Sequence, residues 1–171
     1  MPENILNGIG QFNVFKFDPF VGGNAKSVPY RHRDYYKISL VIGNSKLHYA
    51  DKLIEVQKQA LVFFNPQITC KWEHTDTIWS GFFCVFHRNF FRQYENVNHY
   101  AVFQPSGTPV FELSDEQVNK VQSIFERMFE EINSDYIHKY HVLRMLVFEL
   151  IHFALKMEPS AKFDAQPING S

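Results

Sequence analysis

The sequence is poor in the features that usually betray a function. Only two cysteines occur among 171 residues, Cys70 and Cys84, too few for a disulfide framework. No leader-like apolar segment follows the Met-Pro-Glu-Asn start, so both are expected as reduced, buried thiols of a cytoplasmic protein. No apolar run reaches the ~20 residues that span a bilayer. Lys and Arg number 17 against 18 Asp and Glu, a net charge of −1. That balance leaves no basic surplus to hold a phosphate backbone. There is no G-x-S-x-G elbow, no phosphate-binding Walker loop and no G-x-G-x-x-G turn, no internal repeat and no low-complexity tract. A disulfide scaffold, a membrane span and a stand-alone nucleic-acid binder are thereby disfavoured, and enzyme status has no positive support.

Phenylalanine is plentiful, with 18 copies. So many in one short chain imply a thick aromatic core, an aromatic-lined cavity, or both. The length corresponds to about one domain, enough to bury a core without staples.

The pattern changes near Ser114. Before it, short alternating or apolar segments predict strands at residues 9–17, 35–42, 47–50, 53–56, 60–64, 78–86, 97–103 and 110–111, with a short helix at 88–94. Gly43-Asn44-Ser45-Lys46 predicts a hairpin turn whose return strand starts at Leu47. Gly22-Gly23-Asn24 reads as a turn, and residues 73–76 as a solvated loop. Short strands with turns every ~8–12 residues predict an antiparallel sandwich or barrel.

After Ser114 the spacing is helical. Ser114 and Gln117 form a capping-box pattern, and Val118, Val121, Phe125, Met128 and Ile132 fall on one face. Asn133-Ser134-Asp135 is expected to end this helix and cap a second, over residues 136–158. From Val142 to Met157 the second helix is apolar nearly all round, which predicts burial on all sides. Coverage comes either from the preceding helix and a loop, or from a second copy of the chain. The second case predicts a homodimer paired through Leu143, Leu146, Leu150 and Phe153, at 3-4-3 spacing. The expected division is an arm and barrel at 1–113, a two-helix antiparallel hairpin at 114–158 and a linker or tail at 159–171.

A catalytic metal in a barrel needs about three protein ligands. The first predicted hairpin offers only His48, and the later segment carries Cys70 and Lys71 where a further histidine would be needed. No metal and no cofactor are therefore expected. His138 and His141 share a helix face but have no carboxylate companion, and read as surface or interface residues.

Three segments carry a family resemblance. They are His32-Arg33-Asp34-Tyr35-Tyr36-Lys37-Ile38, then Ala60-Leu61-Val62-Phe63-Phe64-Asn65-Pro66, then Gly81-Phe82-Phe83-Cys84-Val85-Phe86 with Phe90-Phe91. In this order they resemble the N-terminal arm-and-cupin domain of AraC-type bacterial transcription regulators, and the two-helix tail is similar to that family's dimer contact. The resemblance spans roughly residues 10–158. It implies a cupin-type jelly-roll barrel, metal-free, that senses a small-molecule effector and pairs two copies. It also implies that DNA is contacted only through helix-turn-helix units that this chain lacks, and that residues 1–18 form a moving arm. Pocket positions of the sugar-sensing members fall on Trp72, Gly81 and Phe83. Their polar residue is replaced by Gly81, and a basic one near the first turn by Gly43. An aromatic, fatty or planar ligand is expected instead of a sugar. Tyr36, His48, Trp79 and Cys84 are further pocket candidates. The alternatives are a cupin-like enzyme, isomerase or oxygenase, and a ligand-free pairing domain.

Overall fold

The computed structural model describes residues 10–17, 34–76, 78–91, 94 and 96–157. The arm before residue 10, the Gly22-Gly23-Asn24 turn, His32-Arg33 and the tail after residue 157 lie outside the described residues. The chain is mainly β, with eight strands followed by two helices: β1 (Phe12–Phe17), β2 (Tyr35–Ile42), β3 (Ser45–Tyr49), β4 (Lys52–Val56), β5 (Gln59–Phe64), β6 (Cys70–His74), β7 (Ser80–His87), β8 (Val110–Glu112), α1 (Asp115–Ile132) and α2 (Lys139–Lys156).

The strands form two antiparallel sheets, ordered β1-β7-β2-β5-β8 and β4-β3-β6. Among the described residues neither sheet closes on itself. β2 lies at the middle of the larger sheet and is covered on both faces. Its even positions Tyr36, Ile38 and Leu40 share a core with the helices. Its odd face meets the smaller sheet, where Val41 packs with Leu47 and Tyr49. A strand buried on both sides is mostly apolar, and in Tyr35–Ile42 the polar residues Lys37 and Ser39 both fall on the inner odd face.

The expected hairpin at Gly43-Asn44 is not formed. β2 pairs with β5 and β7, whereas β3 pairs with β4 and β6. The turn chemistry is real but serves a corner, where the chain crosses from one sheet to the other. Gly43, at φ 128°, donates its N–H to Lys58 O at 2.7 Å. Asn44 N–H donates to the Asp76 carboxylate at 2.8 Å. The tight hairpin comes one strand later, between β3 and β4, where Ala50 adopts φ 55°.

Two further expectations are corrected. Residues 97–103 are not a strand but two short 3-10 turns, Val97–His99 and Ala101–Phe103. Side chains satisfy part of this backbone in place of a ladder: Asn96 caps the first turn, and Asn65 Nδ2 donates to Phe103 O at 2.7 Å. Residues 88–91 make turns instead of opening a helix.

α1 begins with the expected reciprocal capping box between Ser114 and Gln117. α2 starts later than expected, at Lys139, and its N-cap His138 makes no side-chain capping bond. Lys139 Nζ instead donates to Ile132 O and Ser134 O, both at 3.1 Å, satisfying carbonyls left open at the end of α1. α2 packs on α1 and on Ala101–Phe103, and α1 lies on the outer face of the larger sheet, against β1, β7 and β2. Val121, Phe125 and Met128 are fully buried there, with Phe82 and Phe125 stacked at 5.8 Å. The hairpin therefore shares one core with the strands.

The same packing accounts for the apolar second helix. Leu143 and Leu150 are 0% exposed and Leu146 is 5% exposed, all within the chain's own core. Phe153 is half-buried against that core. The outward stripe carries His141, Met145, Glu149, His152 and Lys156. Within one chain α1, Phe90, Phe91 and the turn Ala101–Phe103 cover the buried face of α2. Of residues 1–18, Phe12–Phe17 forms an edge strand paired with β7 over its whole length.

Candidate functional site

The site is built from inward-facing residues of both sheets. In the smaller sheet, Ser45, Leu47 and Tyr49 of β3 pair across with His74, Trp72 and Cys70 of β6. Their intervening neighbours, His48, Lys71 and Glu73, point to solvent. β6 thus has one wet face and one inner face, so the expected loop at 73–76 begins as a strand. In the larger sheet the inner positions are Phe15 and Phe17 of β1, Lys37 of β2, Phe64 of β5 and Phe83 of β7. Phe83 stacks on Phe15 at 4.9 Å and meets Phe17 at 4.9 Å.

These side chains form a continuous belt. Phe64 meets Trp72 edge-on at 6.1 Å, and Trp72 meets His74 at 6.1 Å. His74 lies flat on Trp79, 3.6 Å between ring centres and 5° between planes. Trp79 meets Phe17 edge-on at 4.9 Å, and Phe17 leads to Phe83. Lys37 closes the circuit, its Nζ 4.8 Å from the Phe83 ring centre and 5.1 Å from that of Phe64. Phe17, Lys37, Phe64, Trp72, His74 and Trp79 all remain partly accessible.

The electrostatics follow from this setting. Burial among rings pushes the Lys37 ammonium down to about 8. Burial, then the nearby Lys37 charge, pushes His74 down to about 4, so its imidazole is neutral at pH 7. Trp72 Nε1–H donates to His74 Nδ1 at 3.4 Å, which leaves the proton on Nε2. Burial pushes the Cys70 thiol up, against the opposing pull of Lys37. Among the described residues Lys37 enters no ion pair, and the buried Ser45 Oγ has no hydrogen-bond partner. An isolated ammonium and an orphan hydroxyl are costly inside a protein.

Trp72, Phe83 and Trp79 come together in this belt. Gly81 lies beside it, but its role is backbone approach: at φ 146°, an added Cβ would sit 1.9 Å from Leu40 O. Tyr36 and Cys84 occupy the opposite face of the sheet, toward the helices. The Tyr36 hydroxyl donates to the Asn98 side chain, and burial pushes the Cys84 thiol up. Tyr36 also floors an open, polar cleft of about 400 Å³ with Gln67, Arg88 and Asn98. His48 is on the outer surface, 3.0 Å from Glu73, an exposed pair of small energetic weight. Sequence reasoning missed Lys37, Phe64, His74 and Phe17. A lone lysine inside an apolar strand was the available signal.

Among the described residues no three His, Cys, Asp or Glu side chains converge where a metal ion could sit. His138 and His141 lie 5.7 Å apart, ring to ring, on the surface. Both cysteines are free. No described helix is long and apolar enough to cross a membrane. The chain matches no known family model and no curated protein.

Proposed function

We propose that this chain is the effector-sensing and dimerisation domain of an AraC-type bacterial transcription regulator, with the two facing sheets acting as a cupin-type jelly-roll barrel that takes a small molecule between them. The supporting observation is the belt itself: a partly accessible ring of aromatic side chains with the Lys37 ammonium, which enters no ion pair among the described residues, on the inner faces of both sheets. Concave apolar surfaces with a few convergent polar groups are the usual form of a small-molecule site. α1 lies against the outer face of the same β2 and β7 that line the belt. A ligand that repositions Lys37 or Phe83 is therefore one strand's thickness from Ile38, Phe82 and the α1 contact. Such a ligand biases the arrangement of the pair only by its different affinity for the two arrangements. In this reading DNA is contacted by separate helix-turn-helix units, in keeping with a net charge of −1 on this chain.

A thermal-shift screen of sugars, aromatic compounds and lipids tests the proposal. An effector in large excess over its Kd should raise the melting temperature by several degrees. A screen in which no compound moves it at millimolar concentration would count against a sensing role.

A further inference from the structure

Resting on the sensing role above, we infer that the ligand is a small carboxylate with a flat, apolar body, its carboxylate paired to Lys37 and its body against Phe83, Phe64 and Trp72. Cation–ring contacts hold the ammonium at 4.8 and 5.1 Å, too weakly to replace an anion in a desolvated setting. Among the described residues no carboxylate pairs with Lys37: the ion pairs formed there are His48–Glu73, Lys58–Asp115, Lys120–Glu116 and Arg127–Glu149, all on the outer surface. Among the described residues Lys37 is thus an inner cation without a complement of opposite charge.

The neighbours fit the same ligand. His74, with its proton on Nε2, is a neutral donor facing the belt. It adds a hydrogen bond to an anion without adding charge. Ser45, paired across the β3–β6 ladder from His74, brings a buried hydroxyl without a partner. The Lys37 ammonium and the His74 N–H donate, and the Ser45 hydroxyl can also donate, a set that suits a carboxylate. The rest of the lining is aromatic and edge- or face-on, which suits one planar ring. Cys70, with its thiol protonated, adds no negative charge to repel a carboxylate.

The experiment is calorimetric titration of the intact chain with benzoate, salicylate and indole-3-acetate, each beside its primary amide. The parent should bind at least one carboxylate, at least 10-fold tighter than the matching amide. Lys37→Met should weaken that carboxylate by about 10–100-fold, the range of a charge-assisted hydrogen bond, and leave the amide nearly unchanged. Circular dichroism of Lys37→Met verifies folding, and Lys37→Arg, which keeps the charge, should retain part of the affinity. Equal binding of acid and amide, unaffected by Lys37→Met, overturns the anion assignment while leaving a sensing role standing. Binding of none of the three carboxylates at 10 mM (on the order of the weakest useful Kd) overturns it too, and a neutral hit in the thermal screen would then show that the sensing role survives alone.

Discussion

His74 lies face to face on Trp79, with 3.6 Å between ring centres, and the two close one side of the inter-sheet belt. The contact ties the inner end of β6 to the residue that leads into β7, across the two sheets. It holds only while the imidazole is neutral, because a charged ring there would be desolvated beside Lys37.

Acid should therefore destabilise the protein before ordinary carboxylates titrate. His74 is held near 4, below its ordinary 6.5. Between those values the unfolded chain binds a proton that the folded chain refuses, so stability rises with pH across this window and falls as pH drops through it. Urea midpoints measured from pH 7 to pH 4 should decline, and His74→Gln should flatten the decline. An identical pH profile for the variant would contradict the burial of this ring.

Lys37 should cost stability in the ligand-free protein. Its folded value of about 8 lies below the ordinary 10.5, so the penalty is present at neutral pH and disappears as pH rises through that interval. Lys37→Met, similar in length and apolar, should raise unfolding stability by on the order of 1 kcal/mol, as replacement of strained functional residues commonly does. A loss of stability would mean that the ammonium has a compensating partner.

Gly81 is required by geometry. At φ 146°, with an added Cβ 1.9 Å from Leu40 O, Gly81→Ala must push β7 off β2. The expected cost is about 2–4 kcal/mol in chemical denaturation. A near-neutral variant would show that the two strands can part locally.

Leu146→Asp with Leu150→Asp should unfold the chain, because both leucines are within its own core. Met145, 67% exposed on the outward stripe, should accept aspartate with a change within about 0.5 kcal/mol. Light scattering with circular dichroism separates the two effects. A folded, monomeric double aspartate variant would restore these leucines as a pairing face.

Much of the architecture was legible in local chemistry. β2 was read at its full extent from branched and aromatic residues, and the start of α1 from Ser114 and Gln117. What escaped depends on partners distant in sequence. Gly43-Asn44 carries hairpin chemistry, yet which strands pair is decided by β5 and β7. Lys37 was hidden because β2 is covered on both faces, so the alternation of Lys37 and Ser39 with Ile38 and Leu40 reads as a solvent-facing side when the polar side in fact faces the second sheet. His74 was assigned to a loop because Lys71 and Glu73 around Trp72 look solvated, as one face of β6 is. The apolar α2 was expected to be buried on all sides, yet one stripe, with Met145 67% exposed, faces outward. The buried face of α2 is covered by α1, Phe90, Phe91 and Ala101–Phe103.

The central claim is that a ligand enters between the sheets at the aromatic belt. Both tryptophans of the chain, Trp72 and Trp79, belong to that belt, so intrinsic emission reports the site without a label. Titrating a compound that raises the melting temperature should shift or quench tryptophan emission saturably, with the same Kd as the calorimetric titration. A compound that stabilises the protein and leaves the emission of both tryptophans untouched would place its site elsewhere and contradict the account.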